Sequence, residues 1–283
     1  MTRAFVPRSL EEALGLLAEH PDLVPVAGST DLLVCEPEKR LGLAGVLDLG
    51  RIPEIRGIER DGSGVRIGAA TTFTEIAGSP AVRAACPVLA EAAAVVGGWQ
   101  IQNRATIGGN MANASPAGDS LPVLLVLEAI ATAAGPAGFR DIPYAEFHVG
   151  YRKTALRRSE IIAWVRIPDP PPGSIQRFRK VGTRESQAIS KVVLAMAAAR
   201  RGDTLERVRF AAGSVAPTPV RLRAAERACE GQAPDAALAE RAAAAATAEV
   251  EPIDDVRSTA AYRRFVLGRI VRRMILSCEG GVP

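Results

Sequence analysis

The groups best suited to chemistry lie in a glycine-rich stretch near the middle of the chain, residues 97–122, GGWQIQNRATIGGNMANASPAGDSLP. Gly108 and Gly109 have no Cβ, so backbone N–H groups beside them can approach a bulky anion closely. Thr106 and Asn110 add side-chain hydrogen-bonding groups on either side. This combination indicates a long polar loop that holds a diphosphate. A surface loop whose glycines only turn the chain is the alternative.

A second candidate phosphate site follows the apolar segment LVPVA, which reads as a strand and runs into Gly28, Ser29, Thr30 and Asp31. A turn at the end of a strand can present successive backbone N–H groups to a phosphate. An ordinary tight turn is the alternative, and from these residues alone it is the favoured interpretation.

Helices are expected on both sides of the long loop. Before it, Thr74 is expected to open a short helix, and the segment VLAEAAAVVG reads as a further helix. After it, Asp119 or Ser120 can cap the segment LPVLLVLEA, and Pro122 is acceptable in a first helical turn.

Other familiar binding signatures are missing from the sequence. The turn at residues 61–64 resembles part of a dinucleotide fingerprint, but its spacing to Gly68 is one residue too long and a strand follows it. No GxxxxGK[ST] segment occurs. We therefore expect neither a Rossmann site nor a nucleotide triphosphatase. The chain has only two histidines, and its cysteines form no CxxC pair, so we expect no metal or iron–sulfur site in this chain; the cysteines are Cys35, Cys86, Cys229 and Cys278.

Length and composition indicate a globular protein of more than one domain. The chain has 283 residues, 48% of them hydrophobic, and a mean hydropathy of +0.11. No apolar run approaches the roughly 20 residues that a membrane helix needs, and the first residues lack a signal-peptide core. We expect a soluble, cytoplasmic protein without a membrane span.

Charge is distributed unevenly along the chain. Residues 1–150 carry 11 basic and 17 acidic groups (−6), residues 151–230 carry 17 and 7 (+10), and the remainder carries 7 and 7. The basic segment lacks the interleaving of aromatic and basic residues found in proteins that bind single-stranded nucleic acid, and it has no helix-turn-helix or zinc-finger signature, so nucleic acid is not expected. A solvated face, a protein partner or a phosphorylated ligand fits it better.

The elements that position these residues read as α+β. Ser9 and Glu12 form a capping box before a helix that ends at His20, and residues 58–68 read as a hairpin. The segment PDPPPG, residues 168–173, marks a domain boundary. Beyond it we expect three strands, SIQRFRKVGT, ISKVVLAMAAARR and ERVRFAAGSV, and three helices near 218–229, 234–249 and 258–278.

The last of these helices is expected to bury one apolar stripe. The stripe contains Tyr262, Phe265, Val266, Ile270 and Met274. The opposite face carries Arg263, Arg264, Arg272 and Arg273.

Several blocks in order carry a resemblance that covers essentially the whole chain. They are VAGSTDLL (26–33), VLDLGRI (46–52), IGAATTFTEI (67–76), QNRATIGGNMANASPAGDSLPVLLVLEA (102–129) and RKVGTRESQAISKVVLA (179–195). With these blocks the chain resembles the FAD-binding, or medium, subunits of the molybdenum hydroxylase family, which includes xanthine dehydrogenase and carbon monoxide dehydrogenase.

The resemblance implies a fold of two domains. Residues 1–170 would form an FAD-binding domain of the PCMH type, in two subdomains that divide near residue 53. Residues 174–283 would form a carbon monoxide dehydrogenase flavoprotein-like C-terminal domain, a three-stranded antiparallel sheet with a helical bundle.

The resemblance also implies the cofactor-binding residues. The two glycine segments would wrap the FAD diphosphate, Asp119 would contact the cofactor, Lys180 would supply charge near the flavin, and Ile189 would lie close to the isoalloxazine ring. Without the family match, Lys180 reads as one more surface cation. The full set is Ala27, Gly28, Ser29, Thr30, Asp31, Thr106, Ile107, Gly108, Gly109, Asn110, Asp119, Ile162, Lys180 and Ile189.

The implied activity is that of an oxidoreductase subunit without catalytic acid–base residues or metal ligands of its own. Noncovalently bound FAD would take electrons from two-iron two-sulfur clusters on a small subunit and pass them to NAD⁺, dioxygen or another acceptor. A large subunit would carry the molybdenum cofactor and choose the organic substrate, and the usual assembly is a dimer of heterotrimers.

Two departures from the family pattern and two rival functions complete the analysis. Ser29 stands where many relatives have glycine, and no cysteine-rich insertion for an extra cluster is present, so FAD is expected as the only redox group. One rival is a stand-alone PCMH-type flavoprotein oxidase, which commonly tethers its flavin through His or Cys. The other is a non-redox assembly subunit that keeps the fold without using flavin.

Overall fold

The computed structural model describes residues 3–34 and 43–278. The first part of the chain forms a small parallel sheet with strand order β1-β3-β2, covered by one helix. Ser9 caps this helix by accepting a hydrogen bond from the Glu12 N–H, as the capping box predicts. The elements are β1 (Arg3–Phe5), α1 (Leu10–Glu19), β2 (Val24–Val26) and β3 (Gly45–Asp48).

The second part is a five-stranded sheet in the order β4-β5-β10-β6-β7, with antiparallel neighbours throughout. The predicted hairpin at residues 58–68 is confirmed, and Asp61 accepts a hydrogen bond from the Ser63 N–H across its turn. The strands are β4 (Ile58–Asp61), β5 (Gly64–Gly68), β6 (Ile130–Gly135), β7 (Gly138–Pro143) and β10 (Ile161–Pro168), and a separate short pair is β8 (His148–Gly150) and β9 (Lys153–Thr154).

Six short helices lie between β5 and β6, and they correct two predictions. Thr72, not Thr74, begins the first of them through a capping box with Glu75. Residues 97–122 are not a long loop, because three of the helices lie within them or start there. The helices are α2 (Phe73–Gly78), α3 (Pro80–Ala85), α4 (Pro87–Ala93), α5 (Trp99–Gln102), α6 (Ile107–Asn113) and α7 (Leu121–Val126).

The predicted cap of α7 is wrong in its mechanism. Ser120 occupies the N-cap position, but its side chain makes no capping hydrogen bond and donates instead to Asn110 Oδ1 at 2.8 Å. Asp119 bonds to Lys180, in the C-terminal domain. Both side chains that the local sequence pattern assigned to the cap therefore make tertiary hydrogen bonds instead.

The C-terminal domain has a four-stranded sheet in the order β11-β12-β13-β14, not the three strands expected. The extra strand at residues 220–221 delays the first helix to Arg223. The strands are β11 (Ile175–Val181), β12 (Val192–Arg201), β13 (Thr204–Gly213) and β14 (Val220–Arg221), and the helices are α8 (Arg223–Cys229), α9 (Ala236–Ala248) and α10 (Ala260–Leu276).

Both faces of this sheet are buried, which explains the composition of β12. Leu194 and Met196 pack with the helices α8–α10, whereas Ala195 and Ala197 face the core of the preceding domain. Ala211 on β13 belongs to the same shared core. Alanines on this face let the two domains approach closely, so the C-terminal sheet continues the core of the preceding domain.

The apolar stripe predicted for α10 is wrong at its N-terminal end. Tyr262 and Phe265 are 42% and 66% exposed, whereas Arg263 is 4% exposed. The buried face consists of Arg263, Leu267, Ile270, Val271, Met274 and Ile275. The periodicity of the apolar residues located the helix, but the hydrogen-bond partners of the Arg263 guanidinium decide which face of the helix is buried.

The shared alanine core predicts a steric effect on stability. Ala211→Leu adds side-chain volume at a fully buried position between domains and should lower the free energy of unfolding by about 1–3 kcal/mol. Ala244→Leu, at an exposed position of α9, is the control and should change it by less than about 0.5 kcal/mol. Urea unfolding measures both, and equal effects would contradict a close-packed interface.

Candidate functional site

A cleft of about 990 Å³ lies where the N-terminal sheet, the α5–α7 region and the C-terminal domain meet. Of the residues assigned to the cofactor from the sequence, four do not line it: Ile107, Gly108, Ile162 and Lys180. Those that line it are Ala27, Gly28, Ser29, Thr30, Asp31, Thr106, Gly109, Asn110, Asp119 and Ile189.

The loop after β2, residues 27–31, presents backbone donors to the cleft. In the described part of the chain, no protein group accepts a hydrogen bond from the N–H groups of Gly28, Ser29 or Thr30. Ser29 has a left-handed backbone (φ 59°). Successive unpaired N–H groups in such a turn form a concavity suited to an oxyanion.

Close approach to the second glycine segment explains the glycine at position 28. A Cβ on Gly28 would lie 1.9 Å from the carbonyl oxygen of Arg104, closer than any real contact. Any side chain there would push the two segments apart. The loop is thus held directly against the residues that lead into α6.

The two glycines of the second segment have different tasks. Gly108 is a packing residue, because a Cβ there would lie 2.6 Å from Ala69 Cβ, and its N–H donates to Ala69 O at 2.9 Å. Gly109 lines the cleft, and a Cβ there would meet only Thr106 Oγ1, at 3.0 Å. Thr106 caps α6 by accepting from the Gly109 N–H at 3.1 Å. These amides are already bonded within the protein, so the unpaired donors come from the first loop.

A buried ion pair closes another part of the cleft. Lys180 Nζ lies 2.6 Å from Asp119 Oδ2, both side chains are 8% exposed, and Lys180 also donates to Val95 O at 2.8 Å. Burial raises the pKa of Asp119 to about 6 even though the Lys180 cation opposes the shift, so the carboxyl is ionised at neutral pH.

The second oxygen of Asp119 has no partner within the described part of the protein. Oδ1 is buried and accepts no hydrogen bond. An orphaned buried carboxylate oxygen costs free energy unless a donor reaches it. Since Asp119 lines the cleft, a ligand bound there can provide that donor.

The two predicted isoleucine contacts have different environments. Ile162 lies on β10, is 6% exposed and packs in the core of the central sheet. Ile189 is 53% exposed at the cleft wall, in the segment between β11 and β12. The N–H of neighbouring Gln187 donates to Gly97 O at 2.8 Å, which holds this segment over the cleft.

Sequence reasoning missed two groups of cleft residues. Tyr151 and Arg152 form the turn between β8 and β9, and Arg152 Nη1 donates to Asn113 Oδ1 at 2.9 Å and lies 3.8 Å from Asp31 Oδ2. Asp255 and Arg263 contribute from the far end of the chain. No local motif marks either group, although a lone arginine in an apolar helical stripe is a usable signal for a buried cation.

The remaining titratable groups offer no other site. Across residues 3–34 and 43–278, no three His, Cys, Asp or Glu side chains are grouped to hold a metal ion. Cys86 is buried, and burial raises the pKa of its thiol to about 12. Cys229 and Cys278 are also buried and unpaired, whereas Cys35 lies outside the described residues. Within those residues, no helix combines the length and the apolar character needed to cross a membrane.

Comparison with known proteins assigns both halves of the chain. Residues 1–170 match the FAD binding domain in molybdopterin dehydrogenase, and residues 177–278 match the CO dehydrogenase flavoprotein C-terminal domain. The carbon monoxide dehydrogenase medium chain of Hydrogenophaga pseudoflava is 34% identical over 95% of this chain and 94% of its own length. A putative xanthine dehydrogenase FAD-binding subunit of Escherichia coli (strain K12) is 30% identical over 94% and 92%.

Solved structures agree with this match. The carbon monoxide dehydrogenase of Hydrogenophaga pseudoflava that lacks the Mo-pyranopterin moiety of its molybdenum cofactor aligns with a TM-score of 0.91 at 34% identity, covering 96% of this chain and 95% of that chain. Quinoline 2-oxidoreductase from Pseudomonas putida 86 aligns with a TM-score of 0.92 at 26% identity, covering 99% and 97%. The predicted α+β fold and family are therefore confirmed, and the chain belongs to the FAD-binding medium subunits of the molybdenum hydroxylase family.

Proposed function

We propose that this chain binds FAD noncovalently in the cleft and carries electrons within a molybdenum-containing dehydrogenase complex. The observation that carries the proposal is the pairing of two unsatisfied features in one cleft. Among the described residues, the N–H groups of Gly28, Ser29 and Thr30 are unpaired and offer donors for a diphosphate, and the buried Asp119 Oδ1 lacks a donor. A dinucleotide with a polyhydroxylated linker satisfies both.

The residues would divide the binding as follows. The loop at residues 27–31 would hold the diphosphate through its N–H groups, beside Gly109 and Asn110. Asp119 would accept a hydrogen bond from the cofactor, and Lys180 would keep that carboxylate ionised and in place. Ile189 would supply an apolar wall. Ile107, Gly108 and Ile162 would support the site from beneath, since they lie outside the cleft lining.

Bound FAD would supply the redox chemistry, because it can exchange electrons both singly and in pairs. The protein contributes position, exclusion of water and charge. The buried Asp119–Lys180 pair is close to neutral overall, so Lys180 acts on the flavin together with its partner and not as an isolated cation. This refines the sequence-based expectation for Lys180.

The partners follow from what similar proteins are. Relatives are medium subunits of carbon monoxide dehydrogenase and FAD subunits of xanthine and nicotinate dehydrogenases. By analogy this chain would join a large molybdenum-cofactor subunit and a small subunit with two-iron two-sulfur clusters, in a cytoplasmic dimer of heterotrimers. NAD⁺ or dioxygen would be the acceptor. The basic segment 151–230 offers one surface for such a partner.

The two rival functions differ from this proposal at the cleft. A tethered oxidase needs a His or Cys beside the flavin, yet the described lining of the cleft contains neither. His20 packs against Phe5, and His148 bonds to Tyr144. A non-redox assembly subunit would have no use for unpaired N–H donors and an orphaned carboxylate oxygen in one cleft.

Acid precipitation separates the tethered and noncovalent alternatives. The native protein should be yellow, and the flavin should appear in the supernatant after precipitation because no covalent bond holds it. Absorbance of the supernatant at flavin wavelengths measures release. Flavin that stays in the pellet would support the tethered oxidase, and a colourless protein that does not bind added FAD would support the assembly subunit.

Blocking the cleft at Gly109 tests its location. Gly109→Val places a branched side chain in the space that the cofactor would occupy and should weaken FAD binding by more than about a hundredfold. Fluorescence titration of the apoprotein gives the dissociation constant. Gly15→Val on α1, where a Cβ meets nothing within 4 Å, is the matched control. Wild-type affinity in Gly109→Val would place the flavin elsewhere.

Charge near the flavin is tested at Lys180. Lys180→Met removes the cation that opposes the burial-driven rise in the pKa of Asp119, so the potential is measured at alkaline pH, where the carboxylate stays ionised; left without its cation it disfavours an anionic reduced flavin, and the midpoint potential should fall by about 30 mV or more. The double variant Lys180→Met/Asp119→Asn removes both charges and should recover most of the loss. Arg179→Met, an exposed cation one residue away on the same strand, is the control. An unchanged potential in Lys180→Met would refute a role for the pair.

A further inference from the structure

Arg263 is a buried cation in the helical layer of the C-terminal domain, and it also lines the cleft. Its Nη2 donates to Asp255 Oδ1 at 2.7 Å. Although burial acts to raise it, hydrogen bonds from the N–H groups of Arg257 and Ser258 and from Arg263 hold the pKa of Asp255 down at about 2. Arg263 therefore faces an ionised carboxylate at any working pH.

The other end of the guanidinium joins two strands. Nη1 donates to Lys191 O at 3.0 Å and to Ser214 O at 2.8 Å. Lys191 directly precedes β12, and Ser214 directly follows β13. The segment that carries Ile189 joins the sheet at Lys191, and the neighbouring strand β13 ends directly before Ser214. Arg263 thus connects these two points of the sheet.

From these two points a hydrogen-bond chain continues into the FAD-binding domain. Ser214 has a left-handed backbone (φ 64°), and its N–H donates to Pro116 O at 2.8 Å. Ser190 Oγ donates to Ala117 O at 3.2 Å and lies 2.9 Å from Ser214 Oγ. Pro116 and Ala117 belong to the turn that leads to Asp119.

We propose that Arg263 is a positioning residue for the flavin site, acting through Lys191 and Ser214 on the Ile189 segment and on the turn before Asp119. The inference rests on the proposed function, since it concerns how the FAD cleft keeps its shape. Helix α10, the last of the described elements in chain order, would thereby also help to shape the flavin site.

Burial alone does not explain the arginine. A leucine or methionine would fill an apolar helical layer at lower desolvation cost. Two carbonyl groups and one carboxylate instead accept from Nη1 and Nη2, while Nε has no partner among the described residues. The planar fork fixes the relative directions of these acceptors in a way that a lysine ammonium does not. The geometry therefore serves orientation of the cleft wall more than stability of the helical layer.

The test compares FAD binding in Arg263→Lys, Ser190→Ala and the double variant with wild type. Arg263→Lys keeps the charge but loses the fork, so the dissociation constant should rise by about tenfold. Arg273→Met, an exposed arginine on the same helix, is the control and should leave it unchanged. The visible circular dichroism of protein saturated with FAD should change in Arg263→Lys and not in the control.

Coupling distinguishes positioning from general destabilisation. If Arg263 acts through the Ser190–Ser214 contacts, its effect on FAD affinity should be non-additive with Ser190→Ala, and the double variant should bind about as well as the weaker single variant. Additive effects, or wild-type affinity and spectrum in Arg263→Lys, would overturn the inference while leaving the proposed function intact. Failure of the wild-type apoprotein to bind FAD would refute both this inference and the proposed function.

Discussion

The site depends on one buried ion pair that joins two domains. Asp119 Oδ2 and Lys180 Nζ lie 2.6 Å apart, and the two charges come from different domains. Breaking such a pair typically costs about 3–5 kcal/mol, because one charge is left buried without compensation. The pair therefore restricts how the domains can be arranged around the cleft. It also leaves the buried Asp119 Oδ1 without a hydrogen-bond partner among the described residues.

Close packing at two glycines also constrains the shape of the cleft. Gly28 touches the backbone at Arg104, and Gly108 touches Ala69, so neither position has room for a Cβ. These contacts bring the loop after β2 and the start of α6 together along one wall. Once that packing is fixed, the N–H groups of Gly28, Ser29 and Thr30 have no acceptor in residues 3–34 and 43–278, and they are free to donate to a ligand. The set of donors that the proposed diphosphate site would use is thus a consequence of how the glycines pack.

Local sequence patterns predicted the helices and strands better than they predicted the tertiary partners of individual side chains. The Ser9 cap of α1, the hairpin at residues 58–68 and the main strands of both domains follow from spacing and turn chemistry, and they are confirmed. The capping box forms only in part, because the Glu12 carboxylate accepts from the Arg8 N–H and not from that of Ser9. Asp119 was read as a helix cap, because a sequence shows the neighbouring helix and not Lys180, 61 residues away. The apolar stripe of α10 failed at Arg263 for the same reason: its acceptors Lys191 O and Ser214 O lie far away in the chain.

The family match identified the two glycine segments as one site, which residue chemistry alone had left open. It did not reveal how the C-terminal domain takes part. Ala195, Ala197 and Ala211 let that domain's sheet pack directly against the FAD-binding domain. Lys180 reaches from the same sheet to Asp119, and Ile189, in the segment between β11 and β12, lines the cleft. A flavin bound there would contact both domains, so its affinity reports on their packing. The C-terminal domain is accordingly a structural half of the site, not a separate module attached to it.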